Sequence, residues 1–349
     1  MDSWPEGGEL RTLCRLLVAQ YPVPRVTREA LQKSDCLSRI RLGPAATEDV
    51  EALRSRLQEW RARRDGALIP FHDPRYPALL REIARPPVVL FVEGDVTLLQ
   101  RPSVAIVGAR AAARSYCEWT RALSADLARC GVVIASGLAR GVDAAAHMGA
   151  LDAGGATLAV LGSGTDVSYP PENEAVQQRL VESGCVVSEL PPGTPPRAWH
   201  FPSRNRVLAG LTRGVVVVQA EPKSGALITA KHALHENREV MAVPGEVLDP
   251  RSRGPHALLR QGAALVERAA DVLEALGWMP LPRDLFAASP ATSSATLLAQ
   301  LQRPASLEEL RQRLGWDAGH LQRVLLELEL AGSVERMPSG RVRRAVTPS

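Results

Sequence analysis

Between Ser103 and Gly245, short apolar runs alternate with amphipathic stretches. The runs are SVAIVG (103–108), VVIASG (132–137), TLAVLG (157–162), CVVSEL (185–190), GVVVVQA (214–220) and EVMAVPG (239–245). Each is strand-length and rich in Val and Ile, most close on Gly or Pro, and the stretches between them can hold a crossover helix. That pattern predicts a mostly parallel sheet buried on both faces, a doubly wound α/β domain. Upstream, Leu10, Leu13, Leu16 and Leu17, then Leu53, Leu57 and Trp60, recur at helical spacing, with Pro22, Pro24, Gly43 and Pro44 as breaks. PPVVLFVEGD (86–95) has period-two character.

The tail predicts a separate fold. PLPRDLFAASPATSS (280–294) reads as a linker. Thr296–Leu301 is one helix, Ser306 caps a second with Glu308 and Glu309 in its first turn, and Leu321, Val324, Leu325 and Leu328 line one face of a third. SVERMPSGRVRR then gives two strands around a Ser339–Gly340 turn, so the ending predicts a winged helix. The expected division is a helical domain over 1–70, an α/β core over 71–279, a linker over 280–294 and a winged helix over 295–349.

Composition changes this picture little. Hydrophobic residues are 45% and charged residues 23%, ordinary for a globular chain. The net charge of +4, from 42 Lys+Arg against 38 Asp+Glu, advertises no strongly basic body, and only Lys33, Lys223 and Lys231 are lysines. The opening MDSWPEGGEL is not a secretory signal, and no run approaches the roughly 20 apolar residues of a membrane helix. Five scattered cysteines (Cys14, Cys36, Cys117, Cys130, Cys185) suit a reducing compartment, so a cytoplasmic protein without membrane insertion is expected.

Ligands of open parallel sheets collect at the carboxyl ends of the strands. The first run ends in Gly108, Ala109 and Arg110; VGARAAA lacks the second and third glycines of a dinucleotide fingerprint. SGLARGVDAAAH (136–147) brackets Arg140 with Gly137 and Gly141, glycines that would let amides surround an anion. Ser136, Asp143 and His147 suggest a nucleophilic triad, but IASGL is not a nucleophile elbow, and His147 reads better as capping or pinning the loop. FPSRNRVLAGL (201–211) puts Arg204, Asn205 and Arg206 beside Phe201 at an expected helix start, where both arginines can meet one ligand. EPKSGALITAKHALHEN (221–237) offers Lys223, Ser224 and Gly225 at a helix N-terminus, a phosphate cradle without the P-loop spacing. His232 and His235 lack a third ligand, and no cofactor or metal is implied. Four strand ends with Gly or Ser plus a cation, and no competent acid/base pair, point to an extended polyphosphate. With 14 aromatics in 349 residues, extensive base stacking is not assured.

These motifs, in this order and spacing, resemble the DNA-processing protein DprA (Smf) family over about residues 74–276. The match runs from YPALLREIARPPVVLFVEGD through VAIVGAR, SGLARGVDAAAH, YPPEN (169–173), SELPPG, FPSRNRVLAGL, SGALITAKHAL and AVPGEV. The resemblance implies a Rossmann-like core flanked by an N-terminal all-α, SAM-like domain and a winged helix. It implies single-stranded DNA binding in natural transformation, displacement of single-strand-binding protein, loading of a RecA-type recombinase, and a homodimer. By motif position it assigns DNA contact to Gly108, Arg110, Gly137, Arg140, Arg204, Asn205, Arg206, Lys223, Ser224, Gly225 and Thr229. It puts dimer and recombinase contacts near residues 256–266, with Leu258 and Leu259 as candidates or as core residues. Ala109 stands where many members have Ser or Thr, and Gln219 where an acid is common.

The tail's third helix carries Asp317, Glu327 and Glu329 against Arg323, which opposes a phosphate backbone. The hairpin carries Arg336, Arg341, Arg343 and Arg344 against Glu335, so a DNA contact there is expected to use the wing through Arg341, Arg343 and Arg344, with protein docking as the other reading. The rival function is a nucleotide phosphoribohydrolase of the LOG-like group, whose P-G-G-x-G-T-x-x-E signature is absent from VPGEVLDPRSRG. A duplex-reading transcription factor is disfavoured by the acidic helix.

Overall fold

The computed structural model describes residues 47–278 continuously, preceded by Leu10, Leu13, Cys14 and Leu17. In the tail it describes 297–301, 303–314, 316, 321–322, 324–325, 328–329, 333–337 and 341–344. The linker expected over 280–294, the Ser339–Gly340 turn and most of the helical region expected before residue 47 lie outside these residues. The chain divides into two compact units, Met1–Met279 and Pro280–Ser349.

The strands of the first unit, in chain order, are β1 (Ala67–Pro70), β2 (Val89–Gly94), β3 (Ser103–Val107), β4 (Val133–Ser136), β5 (Thr157–Leu161), β6 (Cys185–Ser188), β7 (Gly214–Val217), β8 (Glu239–Ala242) and β9 (Ala264–Leu265). All six apolar runs are strands. They form one sheet in the order β1-β2-β6-β5-β4-β3-β7-β8-β9, parallel from β6 to β9 and antiparallel at β1–β2 and β2–β6. The helices are α1 (Thr47–Arg64), α2 (Ala78–Arg81), α3 (Arg114–Arg129), α4 (Val142–Asp152), α5 (Glu174–Ser183), α6 (His200–Leu211), α7 (Gly225–His235), α8 (Arg253–Arg260) and α9 (Ala269–Ala275). Alternate residues of one strand serve opposite layers: Val104 and Ile106 pack with Leu123 and Leu127 of α3, whereas Ala105 and Val107 join the layer holding Val207 and Ala230. Two buried faces explain why the runs are continuously apolar.

The chain steps outward from β3 through β4, β5 and β6, then returns to β7 on the other side of β3. That reversal opens a crevice at the carboxyl ends of β3 and β7, the usual ligand position in such sheets.

The period-two stretch behaves otherwise than its pattern suggests, since alternation leaves one face in water. β2 is buried from Val89 to Glu93. The cover is α1, whose Trp60 packs edge-on against Phe91 at 5.9 Å and donates its indole N–H to the Glu93 carboxylate at 2.7 Å. The buried charge of Glu93 thus has an indole donor, with Arg64 3.8 Å from its other oxygen.

In the second unit, Ser306 and Glu309 cap α10 (Leu307–Leu314) reciprocally: the Ser306 hydroxyl accepts from the Glu309 N–H at 3.2 Å, and the Glu309 carboxylate accepts from the Ser306 N–H at 3.1 Å. Leu310, Leu321, Val324, Leu325, Leu328, Val334 and Val342 form its core. β10 (Val334–Arg336) and β11 (Val342–Arg344) pair antiparallel, and Ala305 bridges to Val342, the wing geometry expected.

Candidate nucleic-acid interface

At the switch point lies a cleft of about 630 Å³. One wall is the turn after β3, with Gly108, Ala109 and Arg110; the floor is α6 with Phe201, Arg204 and Asn205; the far wall is the start of α7 with Ser224, Gly225 and Thr229. Of the residues expected from sequence, these therefore converge. Gly137, Arg140, Arg206 and Lys223 do not line the cleft.

The α6 arginines show why. The helix begins at His200, so Arg204 and Arg206 sit past its first turn, where residues two apart point about 200° away from each other. Arg204 turns to the cleft; Arg206 turns away, forms a buried ion pair with Glu189 and donates to the Arg85 carbonyl at 2.6 Å. The expectation that both meet one ligand fails on helix geometry. Arg204 is itself buried. Its guanidinium donates to the Gly137 carbonyl at 2.7 Å, to the Val160 carbonyl, and through Nε to the Asn205 side-chain oxygen at 3.1 Å. Burial lowers its pKa to about 10, against the pull of Asp143, so it stays charged at neutral pH. Asn205 passes the link on, donating to the Gly225 carbonyl at 3.1 Å.

The second glycine loop is not an open anion nest. The Asp143 carboxylate accepts from the N–H groups of Gly137 at 3.1 Å and Ala139 at 3.3 Å, so the chain fills the loop with its own anion. Burial raises the Asp143 pKa, while Arg204 pulls it down. Gly141 has φ +74°, and a Cβ there would fall 2.4 Å from the Ala109 carbonyl oxygen; a Cβ at Gly137 would meet the Arg204 guanidinium at 2.5 Å. These glycines serve close packing between loops. Arg140 is exposed, 3.8 Å from Glu172.

Ser136, Asp143 and His147 each have a separate structural partner. Ser136 donates to the Ile106 carbonyl at 2.6 Å, Asp143 holds the loop, and His147 Nδ1 lies 2.7 Å from the Thr157 hydroxyl. That hydroxyl donates its hydrogen to the Ile134 carbonyl, so it accepts from His147, which is the Nδ1–H tautomer. His147 thus ties α4 to β5 rather than capping the loop. Burial, then the charge of Arg204, depresses its pKa to about 3. The unfolded chain binds a proton below about pH 6.5 that the native state refuses until about 3, so stability rises with pH across that window by about 1.4 kcal/mol per unit. His147→Gln should remove that one-proton slope from the plot of urea midpoint against pH; an unaltered slope between pH 4 and 6 excludes His147 as its source.

What remains open in the cleft is Arg110, an aromatic floor and the start of α7. Arg110 lies 5.4 Å over the Phe201 ring, Arg204 lies 6.0 Å from the same ring, and Tyr169 packs on it at 5.5 Å. Arg110 is exposed and, among the described residues, has no carboxylate within ion-pair distance, although its charge, after that of Arg204, opposes the rise that burial gives the Asp143 pKa. Ser224 is the N-cap of α7, yet its hydroxyl makes no capping bond and stands buried without a partner. Thr229 is tied to the Gly225 carbonyl at 3.4 Å, and Lys223 is exposed outside the lining. Tyr169 and Arg197 line the cleft without having been singled out from sequence; the signal was the tyrosine of YPPEN and an arginine two residues before Trp199.

Elsewhere, Leu258 is buried in the core and Leu259 is half-buried against it, so only Leu259 is placed to present any surface. Gln219 is a brace, accepting from the Ala113 N–H at 2.9 Å and donating to Asp249 at 3.1 Å. In the wing, Arg341 pairs with Glu309 at 2.8 Å and Arg343 with Glu335, leaving Arg344 exposed. The expected wing charge is therefore largely offset by neighbouring carboxylates. Among the described residues, no group of three or more His, Cys, Asp or Glu gathers to hold a metal, and no helix is long and apolar enough to cross a membrane.

Residues 67–277 match the family DNA recombination-mediator protein A, and residues 288–340 match the DprA winged helix domain. Protein Smf of Escherichia coli is 39% identical over 295 residues, 81% of this chain and 79% of the relative. DNA processing protein DprA of Streptococcus pneumoniae is 46% identical over 201 residues, 58% of this chain and 71% of the relative. The X-ray structure of DprA from Streptococcus pneumoniae superposes with a TM-score of 0.63 at 37% identity, covering 76% of this chain and 92% of that one. A structure of DNA processing protein A from Helicobacter pylori, described by its single-stranded DNA binding mode, gives 0.53 at 31% identity over 57% of this chain and 92% of that one. With a mostly parallel doubly wound core, a winged-helix tail and these matches, the chain belongs to the DNA recombination-mediator protein A (DprA/Smf) family.

Proposed function

We propose that this chain binds single-stranded DNA in the switch-point cleft and acts as a recombination mediator. In this reading it protects strands entering the cytoplasm in natural transformation, displaces single-strand-binding protein and loads a RecA-type recombinase. It works as a homodimer, with Leu259 near the partner surface. The family's description supports the mediator role, and the Helicobacter pylori structure supports the single-stranded ligand. The observation that carries the reading is Arg110, exposed, with no carboxylate at ion-pair distance among the described residues, and poised 5.4 Å over Phe201. A phosphate oxygen can take the guanidinium while a base meets the ring face. A base paired within a duplex cannot reach that floor without leaving its stack, so single strands are favoured.

The reading is one of binding rather than bond-making. Ser136, Asp143 and His147 are each occupied by structural hydrogen bonds, and Glu246, the carboxylate of VPGEV, is exposed away from the cleft. Of the four strand-end stations expected from sequence, the second holds its own carboxylate and the third has lost Arg206, so the anion track is shorter than expected. Fluorescence anisotropy with single- and double-stranded oligonucleotides across a salt series tests this. Arg110→Ala should reduce the slope of log affinity against log salt by about 0.7, the share of one phosphate contact on a single strand. Equal affinity for both oligonucleotides, or an unchanged slope in Arg110→Ala, sinks the reading.

A further inference from the structure

Large aromatic side chains seldom stand in water without a reason, although a single exposed one needs no special account. Here their placement is not scattered. Among the described residues only two of the Phe, Tyr and Trp side chains are exposed, Tyr169 at 36% and Trp199 at 51%; Tyr169 lines the cleft, and Trp199 directly follows Ala198, which lines it too. Tyr169 already packs on Phe201. Trp199 has a different environment. It is the N-cap residue of α6, the residues on either side of His200 and itself, Ala198 and Phe201, line the cleft, and the Arg197 guanidinium lies over its ring at 5.3 Å. Arg197 also lines the cleft, is exposed, and has no carboxylate partner among the described residues.

An indole ring with a guanidinium over it and about half its surface in water has area left for a planar ligand. A guanidinium held over an aromatic ring keeps its N–H donors, which lie in its own plane, for an anion. The pair repeats the Arg110–Phe201 arrangement inside the cleft, at the rim, with the aromatic exposed instead of half-buried. We propose that Trp199 and Arg197 form a second nucleotide station outside the cleft, where one base of the bound strand stacks on the indole and Arg197 takes the adjoining phosphate. This inference rests on the single-stranded DNA reading and adds a position to it: the strand that leaves the Phe201 floor passes over the rim at Trp199. The occupant is a nucleobase rather than a protein side chain because the cation beside the ring faces the same cleft as Arg110.

The full chain is titrated with an oligothymidylate and with an oligomer of equal length whose sugars carry no base. Trp199→Ala should weaken oligothymidylate binding by about 5- to 150-fold, the share of one stacked base, and leave the abasic oligomer within about twofold. Trp199→Phe should recover most of the affinity, while the quenching of tryptophan fluorescence on DNA addition falls. Arg197→Ala should weaken both oligomers and lower the salt slope. If wild type binds oligothymidylate and Trp199→Ala binds it equally well, the station is overturned while the cleft reading stands. An equal loss on both oligomers also overturns it, because the indole would then act by holding the backbone rather than by stacking. If wild type binds neither oligomer, both readings fall together.

Discussion

Arg206→Leu is expected to lower the unfolding free energy by about 3–5 kcal/mol, among the largest losses available to a single substitution in this chain. Arg206 and Glu189 are both buried, 8% and 7% exposed, and the arginine also satisfies the Arg85 carbonyl. Removing the cation leaves a carboxylate in the interior with no counter-charge, and a backbone acceptor loses its donor. Urea unfolding followed by circular dichroism reads the loss. The double replacement of Arg206 and Glu189 by leucine should recover much of it, since an apolar pair removes both buried charges together. At temperatures where the variant remains folded, its salt slope for single-stranded DNA should match wild type. A loss below 1 kcal/mol, or a reduced slope in folded protein, would return Arg206 to the DNA-contacting set.

Phe201→Ala should produce a large loss of binding. Its ring carries Arg110 and Tyr169 and closes the cleft floor, so its removal takes away the stacking face and the support for the cation. One base–aromatic stack is worth about 1–3 kcal/mol, so affinity for single strands should fall by about 5- to 150-fold. The salt slope should change far less than in Arg110→Ala, because no phosphate contact made by Phe201 itself is lost. Anisotropy titrations at three or more salt concentrations separate the two variants. Affinity within twofold of wild type would show that the floor takes no base.

The core was legible because its signal is local and repeated. Six runs rich in Val and Ile, most of them closing on Gly or Pro, are all strands, and the crevice follows from their order. β1 and β9 passed unnoticed: four and two residues are too short to carry a period, and each is held by its neighbour's ladder. β2 carried a period but not its environment, because the burial of Glu93 depends on Trp60, 33 positions earlier. The candidate site divided the same way. Motif positions found Arg110, Arg204, Ser224 and Gly225, which converge. They also gathered Arg206, because being two apart in sequence says nothing of direction until the start of the helix is known. That Arg204 donates to the carbonyls of Gly137 and Val160, 67 and 44 positions away, could not be read from FPSRNR. The aromatic rim escaped because a low count of tyrosine and tryptophan does not reveal that the exposed ones stand together.

The carboxylate that closes the second glycine loop has a consequence for association itself. Asp143 holds Gly137 and Ala139, and Arg204 in turn holds the Gly137 carbonyl, so internal hydrogen bonds alone fix this loop. On the single-stranded DNA reading, a strand need not order that loop, and rotamer freedom is lost chiefly at the exposed side chains of Arg110 and Arg197. In the reading proposed above, one internal carboxylate therefore takes amides that a phosphate would otherwise occupy, and the loop is preorganised before binding.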